Sequence, residues 1–231
     1  MKFVFQPVID LKRTSLLGFE ALARFSDGRS PDLHFDQARS EGRLIELEHQ
    51  AIKQIVASTD CIPDGYLVTM NASGESIQYF SDLTCSLDRR LRWGLELNEG
   101  SEPSGCTEVR RITQELNVQL LVDDAGVAYA TSERIMNLRP DIVKLDRSLI
   151  AGYRGSPEVQ ELTHSLLHAA RSCGAKTLAE GVETQGDVEL VVSLGFDYAQ
   201  GYFYHRGLPP ADLAEGMREL NRRVGIDVSG F

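Results

Sequence analysis

Short apolar runs alternate with longer amphipathic segments along the whole chain. Eight runs have the length and composition of β-strands, and they lie at residues 3–9, 16–25, 66–71, 93–97, 119–122, 142–145, 176–179 and 196–200. Several are almost continuously apolar, such as Leu120-Leu121-Val122. This pattern is typical of parallel strands that are buried on both faces of a sheet.

Helical periodicity occupies the segments between these runs. Apolar residues recur every three or four positions in five segments, which cover residues 35–58, 109–116, 158–173, 184–194 and 210–224. Ser156 is a candidate N-cap of the third helix, with Pro157 at the first helical position. Thr184 is a candidate cap of the fourth helix.

Eight strands alternating with helices over 231 residues predict an α/β fold, a TIM-like (β/α)8 barrel. The alternative is a doubly wound open sheet, but no glycine-rich phosphate-binding turn follows the first strand. No helix fits between Ile9 and Leu16, so we expect a hairpin whose first strand is antiparallel to the others. We expect a single domain over residues 1–231. A first strand near residue 3 leaves no room for a regulatory domain ahead of it in this sequence, so the chain is either a standalone protein or a fragment of a longer sensor.

The composition is that of a folded globular protein and excludes several classes of function. Hydrophobic residues make up 42% of the chain and charged residues 25%, which are ordinary values. The sequence has no apolar run of transmembrane length and no signal peptide, so we expect a cytoplasmic protein without a membrane segment. The net charge of −10 argues against binding to duplex nucleic acid.

Polar residues collect at the predicted strand ends, where (β/α)8 barrels place their active sites. Glu20 and Arg24 share one face of the second strand. The other polar residues at or just beyond strand ends are Asn71, Glu96, Glu99, Asp123, Asp124, Lys144, Asp146, Glu180, Glu183 and Gln200. Each of these residues alone is explained as an ordinary exposed polar residue. Carboxylates or amides at five strand ends, however, are not expected from a chance distribution of surface residues.

Five of these acids are expected to converge, namely Glu20, Glu96, Asp123, Asp124 and Glu180. Carboxylates at such close range repel one another, and Mg²⁺ or Mn²⁺ relieves the repulsion because these ions prefer oxygen ligands. Together with Asn71, the acids provide enough ligands for two metal ions. Two metal ions about 3.5–4 Å apart commonly catalyse phosphodiester hydrolysis.

Two cationic side chains complete this prediction. We expect Lys144 to face the mouth of the site and to hold the attacking water or a phosphate oxygen, so that its loss affects turnover far more than stability. Arg24 suits a phosphate oxygen outside the metals. Retaining glycoside hydrolysis also uses paired carboxylates, but it leaves Lys144 and Asn71 unexplained. The residues themselves therefore predict metal-dependent phosphoryl chemistry in a barrel.

Seven motifs in a fixed order give the chain a resemblance to a known family. They are Glu20-Ala21-Leu22, Asn71-Ala72-Ser73, Glu96-Leu97-Asn98-Glu99, Asp123-Asp124-Ala125-Gly126, Val143-Lys144-Leu145-Asp146, Ala179-Glu180-Gly181-Val182-Glu183-Thr184 and Gln200-Gly201-Tyr202. In this order they resemble the EAL domain, the cyclic di-GMP-specific phosphodiesterase module of bacterial signalling. The matches extend from Phe5-Gln6-Pro7-Val8 to Gly207-Leu208-Pro209.

The resemblance implies a reaction and a set of metal ligands. Members of the family hydrolyse one phosphodiester of cyclic di-GMP to linear pGpG with Mg²⁺ or Mn²⁺. By this resemblance one ion takes the ligands Glu20, Asn71, Glu96 and Asp123, and the second takes Asp123, Asp124 and Glu180. Lys144 and Glu180 correspond to the groups that orient and deprotonate the attacking water.

The resemblance also implies contacts with the substrate and with a second copy of the chain. The implied substrate-binding or pocket residues are Gln6, Leu22, Arg24, Asp146, Glu183 and Gln200. Glu99 resembles the acid that tethers the loop after Asp124, and family members commonly form homodimers through that segment. Here the segment reads Ala125-Gly126-Val127-Ala128, where the family has Phe-Gly-Thr-Gly. The alternative is therefore a catalytically weak EAL module that binds cyclic di-GMP or a partner protein.

Overall fold

The computed structural model describes residues 1–77, 87–97, 106–126 and 132–231. Eight strands in this part of the chain form a closed barrel in sequence order. They are β1 (Lys2–Asp10), β2 (Ser15–Arg24), β3 (Leu67–Ala72), β4 (Arg92–Leu97), β5 (Gln119–Ala125), β6 (Ile142–Leu145), β7 (Lys176–Ala179) and β8 (Tyr198–Ala199). The predicted TIM-like barrel is thus confirmed, and the open sheet is excluded.

Strand direction follows the length of the connections. β1 is antiparallel to both of its neighbours, β2 and β8, because the short turn after β1 can only return the chain as a hairpin. The other six strand pairs are parallel, and parallel neighbours need the longer crossover connections seen along the rest of the chain. The predicted antiparallel first strand is confirmed.

Nine α-helices lie within the described residues. They are α1 (Pro31–Ser40), α2 (Leu44–Val56), α3 (Gly74–Ile77), α4 (Cys106–Glu115), α5 (Ser132–Leu138), α6 (Arg147–Gly152), α7 (Pro157–Ser172), α8 (Gln185–Leu194) and α9 (Leu213–Val224). The first predicted helix is two helices, since Gly42 adopts a φ of 68° between them and a left-handed residue ends a helix. The short helices α3, α5 and α6 were not predicted. No helix among the described residues is long and apolar enough to cross a membrane.

Local capping chemistry sets the starts of the helices that follow β6 and β7. Ser156 Oγ accepts a hydrogen bond from the backbone N–H of Val159 at 3.2 Å, and Pro157 is the first residue of α7. Thr184 and Asp187 form a reciprocal capping box at the start of α8, with bonds of 3.1 and 2.9 Å. Both predicted caps are confirmed.

An apolar layer inside the barrel supports the polar strand ends. Its members are Val8, Leu17, Leu67, Leu121, Ile142 and Leu178. Three of these residues precede a polar candidate by two positions, on β5, β6 and β7. Because alternate residues of a strand share a face, the polar side chains stand directly above this apolar layer, at the carboxyl end of the barrel.

Candidate active site

The ammonium group of Lys144 lies at the centre of a buried acid cluster. Its Nζ atom is 2.6 Å from Glu96 Oε2, 2.9 Å from Asp123 Oδ1, 2.9 Å from Glu180 Oε1 and 3.3 Å from Glu20 Oε1. The Lys144 side chain is only 1% exposed, so it does not face an open mouth as the sequence predicts. Closure of the barrel brings these groups together, because each lies on a different strand or directly after one.

The charges of this cluster are strongly coupled. Burial by itself lowers the pKa of Lys144, but the four carboxylates raise it well above its usual value, so the side chain is positively charged. Burial raises the pKa of Glu180 to about 8, and burial together with Glu20 raises the pKa of Glu96 well above normal. Burial also raises the pKa of Glu20, but the charge of Lys144 and the hydrogen bonds with Gln200, Glu96 and Lys144 together outweigh it, and the net pKa is lowered. The single positive charge of Lys144 does not balance four ionised carboxylates. The cluster therefore favours the binding of further cations.

The acid oxygens form two groups that fit divalent cations. Ligand oxygens of Glu20, Glu96 and Asp123 all lie within 4.8 Å of one another, and the same holds for Asp123, Asp124 and Glu180. Glu96 Oε1 is buried and accepts no hydrogen bond from the described residues. An unpaired buried carboxylate oxygen is costly unless it binds a cation. The donor set consists of hard oxygen atoms, which suits Mg²⁺ or Mn²⁺.

A local irregularity of β5 brings two adjacent acids to one site. Neighbouring strand residues normally point to opposite faces, but the β5–β6 register shifts between Val122 and Ala125. Within this shift Asp124 has a φ of 52°, and its N–H donates to Asp123 Oδ1 at 3.0 Å. The shift therefore lets Asp123 and Asp124 face the same acid group.

Two glutamines and one strand-end asparagine lie beside the cluster. Gln200 is buried, and its Nε2 donates to Glu20 Oε2 at 2.6 Å and to Glu180 Oε1 at 3.2 Å. Gln6 pairs in register with Glu20 on the neighbouring strand, and its Nε2 donates to a backbone carbonyl at 3.4 Å. Asn71 pairs in register with Glu96 and so lies on the same face of the sheet.

Comparison with known proteins identifies the family. The model of the EAL domain family matches residues 1–207 of the chain. The chain belongs to the EAL domain family. Cyclic di-GMP phosphodiesterase PdeL of Escherichia coli (strain K12) is 26% identical to this EAL protein over 222 residues, which are 88% of this chain and 61% of PdeL. The probable cyclic di-GMP phosphodiesterase PdeG of the same strain is 26% identical over 91% of this chain and 45% of PdeG. The chain thus spans about half the length of these relatives.

Solved structures share the fold of this EAL domain. The manganese/cy-diGMP complex of Klebsiella pneumoniae BlrP1 has a TM-score of 0.80 at 22% identity, over 90% of this chain and 56% of that chain. An EAL domain protein from Listeria monocytogenes EGD-e has a TM-score of 0.73 at 23% identity, over 96% of this chain and 91% of that chain. At these identities the likeness establishes the barrel alone.

The remaining predicted substrate residues of this EAL domain lie at the end of β2 or in the connections that follow β6 and β7. Leu22 is half-buried and Arg24 is exposed at the end of β2, where Arg24 Nη1 donates to the carbonyl of Ala23 at 2.7 Å. Asp146 caps α6 by accepting from the N–H of Ser148 at 2.9 Å, and Glu183 is exposed just before α8. The side-chain hydrogen bonds of Arg24 and Asp146 are with near neighbours in the chain, and the binding role of all four residues stays a prediction.

Two predicted features lie outside the described residues. They are Glu99 and most of the segment after Asp124, including Val127 and Ala128.

The backbone directly after Glu180 lies within the described residues and turns at a glycine. Gly181 has a φ of 64°, and a Cβ atom there would lie 2.2 Å from Arg147 Cβ. The A-E-G-V-E-T motif therefore needs glycine at this position in order to turn the chain beside the acid.

Sequence reasoning missed Glu48, a buried acid of α2. Its carboxylate accepts hydrogen bonds from Ser73, directly after β3. The signal was available, because Glu48 stands four residues from both Leu44 and Ile52 in the apolar stripe of its helix. A charged residue within such a stripe indicates a buried polar partner.

Proposed function

We propose that this EAL domain hydrolyses cyclic di-GMP to linear pGpG with the help of two Mg²⁺ or Mn²⁺ ions. The observation that carries the proposal is the pair of oxygen groups that share Asp123 and surround Lys144. Membership of the EAL family supports the substrate, since the relatives PdeL and PdeG carry phosphodiesterase names. BlrP1 has been solved with cy-diGMP together with manganese and with calcium, which supports a metal site in this fold.

The proposed roles follow the two oxygen groups. One ion is held by Glu20, Asn71, Glu96 and Asp123, and the other by Asp123, Asp124 and Glu180. When bound, such ions activate a water molecule and stabilise charge on the phosphodiester oxygens. The positive charge of the bound ions would lower the raised pKa of Glu180, so that a carboxylate oxygen of Glu180 accepts a proton from the attacking water. Lys144 Nζ donates a hydrogen bond that holds this water or a phosphate oxygen.

Residues at the rim complete the proposed substrate pocket. Arg24 is exposed at the end of β2 and offers a guanidinium for bidentate binding of a phosphate. The other proposed contacts come from Gln6, Leu22, Asp146, Glu183 and Gln200. By resemblance to the family we also propose a homodimer through the segment after Asp124, with Glu99 as the tether of that segment.

The altered sequence after Asp124 favours a second candidate function. Val127 and Ala128 stand where the family has Thr and Gly, and an L-residue disfavours the backbone conformations that glycine adopts freely. In this alternative the domain binds cyclic di-GMP with little turnover and acts as a receptor or protein-interaction module.

A turnover assay separates the two functions. Cyclic di-GMP is incubated with Mg²⁺, Mn²⁺ or EDTA, and pGpG is measured by chromatography while binding is measured by calorimetry. We expect metal-dependent turnover that falls at least about 100-fold in Asp123→Asn. Asp141→Asn is the matched control, because Asp141 accepts from the N–H of Leu120 at the opposite end of the barrel. Full turnover in EDTA contradicts the proposal, and tight binding without turnover supports the receptor.

A further inference from the structure

Glu48 is a buried carboxylate that the proposed reaction does not use. It lies on α2 with only 5% of its surface exposed. Its Oε1 accepts a hydrogen bond from the N–H of Ser73 at 3.1 Å, and its Oε2 accepts one from Ser73 Oγ at 2.9 Å. Both carboxylate oxygens therefore accept hydrogen bonds from Ser73, which lies between β3 and α3, and the Ser76 hydroxyl also bonds to this carboxylate.

Ser73 connects Glu48 to the strand end that carries a proposed metal ligand. It directly follows β3 and stands two residues after Asn71. Its carbonyl accepts from the N–H and the hydroxyl of Ser76, at 3.1 and 3.0 Å. Glu48, Ser73 and Ser76 are all buried, and they form a closed polar network behind the end of β3. This network limits the movement of the backbone at the end of β3, which carries the Asn71 side chain.

Local stability alone does not explain a carboxylate at this position. Burial raises the pKa of the Glu48 carboxyl group above its usual value, although hydrogen bonds from Ser76 and Ser73 and the charge of Arg39 lower it. Burying an acid is costly, and apolar replacements of buried charges are often neutral or stabilising. A carboxylate that costs free energy to bury, and that is hydrogen-bonded at the end of β3, points to a role in positioning this strand end.

We infer that Glu48 is a positioning residue that acts through Ser73 to hold the end of β3, and thereby the Asn71 amide, toward the metal site. The inference rests on the proposed function, because the proposed function assigns Asn71 as a ligand of the first ion. Glu48 itself touches neither ion nor substrate. Partners that orient metal ligands in this indirect way typically contribute about 10–100-fold to metal affinity or activity.

The test is Mn²⁺ binding to the full chain, measured by isothermal titration calorimetry. We expect Glu48→Ala to weaken Mn²⁺ binding at least about tenfold. Glu48→Gln is expected to recover part of the affinity, because its amide oxygen can still accept from the Ser73 N–H. Asp141→Asn is the control, since it removes a structural carboxylate remote from the site, and we expect it to lower the melting temperature without changing Mn²⁺ affinity.

A double-mutant cycle tests the route of the effect. If Glu48 acts through Asn71, then Glu48→Ala adds little to the loss of Mn²⁺ affinity already caused by Asn71→Ala. Ser73→Ala, which keeps Glu48 but removes the hydroxyl, provides a milder variant if Glu48→Ala does not fold. It is expected to weaken binding in the same direction.

The outcomes separate this inference from the proposed function. Wild-type protein that binds no Mn²⁺ refutes the proposed metal site and the inference with it. Normal wild-type binding with unchanged affinity in Glu48→Ala, or in Ser73→Ala where Glu48→Ala does not fold, refutes the inference alone. Additive losses in the cycle with Asn71, or an equal loss of affinity in Asp141→Asn, also refute it, because the effect would then be general.

Discussion

Replacing Lys144 by methionine removes the central ammonium and keeps most of the apolar stem. In the wild-type protein the four nearest carboxylates lie 2.6–3.3 Å from its Nζ atom. The variant therefore leaves four buried acids facing one another without the cation that holds them together. The sequence alone predicts little effect on stability, because it places Lys144 at an open mouth, and its burial reverses that expectation.

The size of the effect can be bounded from the distances. At an effective dielectric constant of about 20, one ion pair at this range has a Coulomb energy of about 6 kcal/mol. Burial of the ammonium and repulsion among the acids offset much of the sum. Removing one partner of a buried ion pair costs about 3–5 kcal/mol. For a chain of this length, that loss lowers the melting temperature by about 6–20 °C.

Urea unfolding in EDTA is the appropriate assay, and Trp93, the single tryptophan, provides the fluorescence signal. We expect Lys144→Met to lose about 3–5 kcal/mol of unfolding free energy in EDTA. Saturating Mn²⁺ should restore most of it, because an ion that binds the native acids stabilises the native state. Turnover should stay low in both conditions.

The matched control is Lys176→Met, which removes a lysine from the surface of the same barrel. Lys176 is 52% exposed and lies 3.2 Å from Asp197, and exposed ion pairs contribute about 1 kcal/mol or less. If Lys144→Met is as stable as Lys176→Met in EDTA, the ammonium does not hold the acid cluster together and the reasoning is wrong.

Four further predictions use simple assays. Glu20→Ala should weaken Mn²⁺ binding at least about tenfold by calorimetry while circular dichroism stays native, since it removes a ligand of the proposed first ion; unchanged binding would exclude Glu20 as a ligand. Burial raises the pKa of Asp197, but hydrogen bonds from Lys12, the backbone N–H of Thr177 and Lys176 together outweigh this and lower it. The stabilisation by Asp197 is therefore complete above the ordinary aspartate pKa and disappears as the pH falls through the lowered value. Melting curves across this range should show Asp197→Asn less stable than wild type at neutral pH and equal to it in strong acid; a constant difference would contradict the assignment. Ser156→Ala should destabilise the fold by about 1 kcal/mol in urea, because α7 loses its N-cap, and Ser156→Thr, which keeps the hydroxyl, should retain most of the stability. Ala128→Gly should raise the turnover of cyclic di-GMP, because the family has glycine at this position and glycine adopts left-handed backbone conformations without penalty; a tenfold gain would correspond to about 1.4 kcal/mol, and unchanged steady-state kinetics would make this substitution neutral.

The sequence by itself determined the fold class and the location of the chemistry. Strand and helix periods are local properties, and a short turn after the first strand permits only a hairpin, so the barrel and its antiparallel strand were predictable. Acids and amides at successive strand ends, as in Glu20, Asn71 and Glu96, indicated one shared site, because the carboxyl ends of barrel strands meet at one face.

Only the tertiary structure decided how close these groups are and how they are charged. Strand alternation places Asp123 and Asp124 on opposite faces, and only the register shift of β5 against β6 brings both to one site. The burial of Lys144 among acids from several strands, and the hydrogen bond from Ser73 to Glu48, join residues far apart in sequence. Local spacing predicts which face a side chain occupies, whereas distance, burial and pKa depend on the non-local packing that closes the barrel.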